Sequence, residues 1–215
     1  MQETKDQENE SGGTPKKIVF IGGPESSGTR IFTEALSQHS QILGNVNAKK
    51  HGDVLDDYFN KIKEQKNENG ILNYFKDYNT ILTRRSFPHS KAPGKPAHYM
   101  EFPPIDTFFD NITKENIEPL IFITTRSPVP NLLSWTNQRS SPQGDHHKAY
   151  EQYKRTYQDI IEVCHQYSLE HYFISLEGLI LDKKQYINSL FKLIGVDPEP
   201  VKFRGKKKVN KKWYC

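Results

Sequence analysis

The stretch Ile18-Val19-Phe20-Ile21-Gly22-Gly23-Pro24-Glu25-Ser26-Ser27-Gly28-Thr29-Arg30 constrains the fold more than any other. Four apolar residues run directly into a turn of glycine, proline and serine. The pattern then reopens as a helix from about Thr29 to Ser37. Small residues let successive backbone N–H groups converge on an anion, and a helix start adds its positive dipole end. The spacing Gly23-x4-Gly28 fits a phosphate-binding loop, but Thr29 and Arg30 follow where Lys and Ser/Thr would be expected. The loop therefore predicts phosphate binding and argues against an ordinary ATPase or kinase. A glycine turn that merely joins strand to helix is the bland alternative. The order strand, loop, helix favours the binding loop.

At 215 residues the chain is long enough for one sizeable α/β core. Its apolar content of 34% is low, and much of the deficit is local: Met1–Pro15 holds no apolar residue after Met1. Residues 1–15 thus read as a disordered leader and residues 16–215 as the domain. The leader is acidic and lacks the apolar core of a signal peptide. No run approaches the roughly 18 apolar residues that span a bilayer. A soluble, cytoplasmic protein with no membrane partner is the expectation. Two cysteines, Cys164 and Cys215, make no disulfide framework and point to a reducing compartment. The net charge of +4 is concentrated at Lys202, Arg204, Lys206, Lys207, Lys208, Lys211 and Lys212. Such a run is a solvated tail, a weak nucleic-acid patch or a grip on a polyanion.

Further along, Gln41–Val46, Asn79–Thr83, Leu120–Thr124 and His171–Ser175 read as strands, with His98–Phe102 as a weaker one. The continuous apolar run at Leu120–Thr124 suits the middle of a parallel sheet. Polar helices are expected over 53–75 and near Ile105–Asn111, and a further helix holds Leu132, Leu133 and Trp135. The longest, His147–Tyr167, carries the stripe Ala149, Tyr153, Tyr157, Ile160, Ile161 and Cys164. Ile187, Leu190, Phe191 and Ile194 mark the last helix, which ends at a C-cap glycine, Gly195. Strands alternating with helices predict an α/β fold, a three-layer sandwich with a central parallel sheet and a P-loop-like phosphate-binding loop.

Three constellations carry chemistry. Backbone amides of Ser26, Ser27, Gly28, Thr29 and Arg30, with the three hydroxyls among them, can wrap one phosphate, and Arg30 can add a charged fork. Glu25 beside them is awkward for an anion and should turn outward or reach another group. Arg126 leaves the end of a central strand, where open α/β sheets gather ligands, and Ser134 follows eight residues later on a helix. An Arg and a Ser placed so can grip a second phosphate, although an Arg after a strand is more often a surface ion pair. Phe203-Arg204-Gly205-Lys206 combines charge with close backbone approach, or is simply the start of a basic tail.

In this order the three resemble the sulfotransferases that use 3′-phosphoadenosine 5′-phosphosulfate (PAPS). The stretches Phe173-Ile174-Ser175-Leu176-Glu177-Gly178-Leu179 and Leu190-Phe191-Lys192-Leu193-Ile194-Gly195-Val196 also look like that family's sequence, and the likeness spans about Lys16 to Lys206. The resemblance implies that Ser26–Arg30 hold the 5′ side of PAPS or of its product, 3′-phosphoadenosine 5′-phosphate (PAP). It implies that Arg126 and Ser134 hold the 3′-phosphate, with help from Arg204, Gly205 and Lys206. It further implies sulfuryl transfer without a metal to an acceptor hydroxyl or amine. The polar segments 47–75 and 87–102, with Tyr58, Phe59, Tyr74, Phe75 and Tyr99 for stacking, suit a polar small-molecule or carbohydrate acceptor. Two departures stand out. Glu25 occupies the position after the loop proline where many members carry Lys or Arg, leaving Arg30 or Arg84-Arg85 to supply charge. The C-terminal element is shortened to Arg-Gly-Lys.

A general base should take the acceptor proton, and Glu101 and His89 are the candidates, ahead of His51 and Asp53. His146-His147 is no metal pair, since adjacent helix residues do not share a face. Three rivals are a P-loop kinase or NTPase, a non-catalytic PAP- or nucleotide-binding module, and a basic nucleic-acid binder. The first lacks the Walker Lys and has Arg126 where a magnesium-holding Asp is expected. The last lacks a reading motif, so nucleic acid is not an expected partner.

Overall fold

The computed structural model describes residues 16–44, 75, 77–87, 109, 112–138 and 144–202. His89, Glu101, Arg204, Gly205 and Lys206 lie outside them, as do the leader and nearly all of both polar helices expected before residue 112.

Five strands form one sheet: β1 (Lys17–Pro24), β2 (Ile42–Leu43), β3 (Thr80–Phe87), β4 (Glu118–Thr125) and β5 (Glu170–Ser175). Their spatial order is β2-β3-β1-β4-β5, and every pairing is parallel. The helices are α1 (Thr29–Leu36), α2 (Pro128–Gln138), α3 (His146–Gln166), α4 (Leu176–Leu181) and α5 (Lys183–Ile194). This is the parallel α/β sandwich expected from the alternation of strands and helices.

The unbroken apolar run of β1 has a simple cause, because side chains alternate faces and both faces are covered. Ile18 and Phe20 enter one core with Ile121, Ile123, Phe109 and, from α3, Ile160 and Cys164. Val19 and Ile21 enter the other with Phe122, Phe32 and Leu36 of α1, and Leu190 and Phe191 of α5. Each core residue named here is at least nine-tenths buried. The helix ends follow their chemistry. Asp145 caps α3 by accepting from Lys148 N–H at 2.9 Å, and Asp182 caps α5 by accepting from Gln185 N–H at 3.1 Å. Gly195 closes α5, its N–H donating to the Phe191 carbonyl at 3.0 Å.

Three expectations change. β3 continues beyond Thr83 through Arg84-Arg85, which pair in register with Ile21 and Gly22 of β1. Leu176–Leu181 is a short helix that the sequence pattern did not announce. The buried stripe of α3 is Ala149, Gln152, Thr156, Ile160 and Cys164, while Tyr153 and Tyr157 are only half-buried. Those two tyrosines sit beside the strand ends and use their hydroxyls there.

Candidate functional site

The strand order reverses at β1. The chain leaves β1 through α1 toward β2 on one side, and leaves β4 through α2 and α3 toward β5 on the other. The loop after β1 and the residues after β4 therefore open together at the C-terminal edge of the sheet, where a crevice forms at such a switch point.

The loop is held by side chains that face inward. The Ser27 hydroxyl bonds to the Pro24 carbonyl at 2.6 Å and meets the Thr124 hydroxyl at 2.5 Å; Thr124 Oγ1 also lies 3.1 Å from the Gly22 carbonyl oxygen. Ser27 N–H donates to Pro24 as well, at 3.1 Å. A Cβ at Gly23 would stand 2.1 Å from Thr124 Oγ1, so only glycine lets β4 come this close. Ser26 takes a left-handed conformation, φ 66°, and Gly28 follows at φ 102° against the Leu176 side chain of α4. Gly28 opens α1 with no side-chain cap, and its carbonyl accepts from Ile31 and Phe32. The start of α1 thus has no side-chain cap, and a helix start of this kind can receive an anion.

Arg126 is 7% exposed and reaches from the end of β4 to the loop, its Nη1 donating to the Ser26 carbonyl at 3.0 Å. Its own carbonyl accepts from Tyr153 OH at 3.3 Å, and Tyr157 OH donates to the Thr124 carbonyl at 3.1 Å. Burial above all, then the neighbouring Tyr153 hydroxyl and the Glu177 charge, pushes the Tyr157 phenol far above its ordinary value. It stays a neutral donor throughout the physiological range. Glu177 Oε1 accepts from Ser127 N–H at 3.0 Å, tying the β4–α2 connection to α4. Ser134 lies on α2, also 7% exposed.

The structure thus brings Ser26–Thr29 and Arg126 together at one edge of the sheet, with Ser134 on the helix that follows, but two side chains do not behave as expected. The Ser27 hydroxyl is wholly buried and spent on Pro24 and Thr124, so it is a strut of the loop and not an open ligand. Arg30 points away along α1, largely exposed, and pairs with Glu34 at 2.6 Å because the two stand one turn apart. It would have to leave that partner to meet a phosphate. Glu25 does not turn outward: it is 6% exposed and engaged with the protein. Arg84 and Arg85, half-buried near the end of β3, are further cations on a strand that pairs beside the end of β1.

Sequence reasoning missed Thr124, Tyr153, Tyr157 and Asn131. Thr124 ends an apolar run with a hydroxyl, and the tyrosines fall on the apolar stripe, so each was readable as core. Asn131, one turn before Ser134, is fully buried. Among the described residues no three His, Cys, Asp or Glu side chains gather as metal ligands would, and no helix is long and apolar enough to cross a membrane.

No family model matches the chain, and no curated protein matches it in sequence. Solved structures do. The sulfotransferase domain from the curacin biosynthetic pathway superposes with a TM-score of 0.51 at 15% identity, covering 87% of this chain and 76% of that one. A sulfotransferase from Alicyclobacillus acidocaldarius gives a TM-score of 0.50 at 14% identity, covering 92% and 88%. At such low identity the likeness establishes the fold, which is the P-loop-like α/β fold of these two proteins.

Proposed function

We propose that the protein is a sulfotransferase that takes its sulfuryl group from PAPS and gives it to a hydroxyl or amine of a polar small molecule or carbohydrate. One observation carries the reading: a buried Arg126 at the end of β4 touches the β1 loop through the Ser26 carbonyl, with Ser134 one helix on. Two anion-binding elements are thereby joined at one switch point, as a nucleotide with phosphates at both ends of its ribose requires. The fold shared with two sulfotransferases supports it.

The residues fit such a donor. The uncapped start of α1, just after the left-handed Ser26 and Gly28, would offer backbone N–H groups to the 5′ side, Ser27 N–H being held by Pro24. Arg126 and Ser134 offer a guanidinium and a hydroxyl to the 3′-phosphate. Arg204, Gly205 and Lys206 would add to that grip, and Arg84 and Arg85 are better placed than Arg30 to supply charge beside the loop. Bound PAPS would supply an activated sulfuryl group with PAP as leaving group. The chain's part is to align donor and acceptor and to accept the acceptor's proton at Glu101 or His89.

Calorimetric titration with PAP and with ATP, each with and without magnesium, tests the proposal. Tight, metal-independent PAP binding with little response to ATP is expected. Preference for ATP with magnesium would replace the reading with phosphoryl transfer, which the same strand order also serves. The buried Glu25 favours a second reading, a module that binds PAP without turnover. An acceptor screen with labelled PAPS separates the two.

A further inference from the structure

We infer that Asn131 positions Arg126 for the 3′-phosphate, its Oδ1 receiving the Arg126 Nε–H once a ligand draws the guanidinium off the Ser26 carbonyl. The inference rests on the sulfotransferase reading, in which Arg126 and Ser134 hold that phosphate. Asn131 is 0% exposed, and neither Oδ1 nor Nδ2 of its amide has a hydrogen-bond partner. Buried side-chain amides left wholly unpaired are rare, and each asks for a group to complete it. Five residues earlier, Arg126 Nε is likewise buried and unpaired. A donor without an acceptor thus stands just before α2, and an acceptor without a donor in its first turn.

Local geometry favours their meeting. Asn131 N–H bonds to the Ser127 carbonyl at 3.1 Å, which fixes the first turn of α2 just beyond Arg126. Asn131 and Ser134 are three residues apart and share a face of that helix. In the structure Arg126 is held by Ser26 through Nη1. Once the guanidinium turns to a phosphate, Nε–H can reach Oδ1, leaving Nδ2 to donate to a ligand oxygen beside Ser134. Gln152 is the competing acceptor: it is 8% exposed, its Oε1 is unpaired, and its neighbour Tyr153 bonds to the Arg126 carbonyl. Of Gln152 only the acceptor is both buried and unpaired, whereas both ends of the Asn131 amide are, so that Asn131 can bridge from Arg126 to the ligand.

The experiment compares PAP with adenosine 5′-monophosphate (AMP), which lacks the 3′-phosphate, by calorimetry on the full chain. Asn131→Leu keeps the volume and removes both polar atoms. PAP binding should weaken about tenfold while AMP binding changes less than about twofold, with an unchanged or raised melting temperature. Gln152→Leu should leave the ratio of PAP to AMP affinity as in the wild type. A folded Asn131→Leu protein with the wild-type ratio overturns the inference, as does loss of the ratio in Gln152→Leu instead. Asn131→Ala provides the same readout should the leucine not be accommodated. Failure of the underlying reading shows separately, as a wild-type protein that binds PAP no better than AMP.

Discussion

At Arg126, one guanidinium nitrogen holds the loop carbonyl of Ser26 while the buried Nε–H waits for an acceptor. Arg126→Ala should therefore cost PAP the charge-assisted contacts, about 1.5–3 kcal/mol or tenfold to a hundredfold in affinity, and cost AMP much less. Equal losses for both ligands would show that Arg126 only braces the loop. Gly23 makes a different demand, for space: Gly23→Ala drives a methyl into the Thr124 hydroxyl, with Ser27 Oγ also only 2.9 Å from it. A loss of at least about 2 kcal/mol in urea unfolding is expected, since a packed core resists added volume. Cys164, 2% exposed, has its thiol pushed by burial from 9.0 up to about 11. Folding then favours the protonated thiol, so its contribution is complete below pH 9.0 and is lost as pH rises toward about 11. Cys164→Val should flatten the fall of unfolding free energy between pH 9.0 and about 11, the window of that shift. An unchanged slope would assign the alkaline loss to other groups, Tyr157 first among them.

Among the elements, β1 with its loop and α1 was legible because it is local: apolar run, glycine turn and helix follow one another within twenty residues or so. β4 was legible for the same reason. What the sequence hid was where individual side chains point. A serine in a phosphate loop reads as a ligand, and nothing in Ser26-Ser27 says which hydroxyl turns toward Thr124. The Arg30–Glu34 pair was open to inspection, being four residues apart on a helix, but a cation near a proposed phosphate draws attention first. α4 escaped because Leu176–Leu181 is too short for a periodic stripe, although Ser175 caps it by accepting from Gly178 N–H at 3.2 Å. That cap also positions Glu177 against Ser127 N–H. Ser175→Ala should cost about 1 kcal/mol of stability, and an effect on PAP affinity beyond it would show that α4 sets the pose of the Arg126 segment. Farther on, Gln38 exchanges two hydrogen bonds with the backbone of Lys202, at 2.9 and 3.1 Å, and Glu199 accepts from Ser40 N–H at 2.9 Å. These contacts hold 197–202 against the end of α1, just ahead of Arg204. Gln38→Leu should weaken PAP binding if Arg204-Gly205-Lys206 contributes to the site, and should leave it unchanged if that segment is only a tail.

Over the whole molecule, the sheet pairings and the closure of the β1 loop on β4 join parts of the chain that are far apart. Lys17 at the start of β1 pairs with Thr80 on one side and Glu118 on the other, and Ser27 closes on Thr124. An all-parallel sheet has no hairpin to begin from, so it is assembled by long-range pairing, which is slow and leaves edges uncovered meanwhile. During synthesis β1 must wait for its second neighbour, and the loop cannot gain its Thr124 and Arg126 contacts until both residues have left the exit tunnel. A nascent chain halted before β4 would carry the full sequence signature of the loop without either contact that holds it in place.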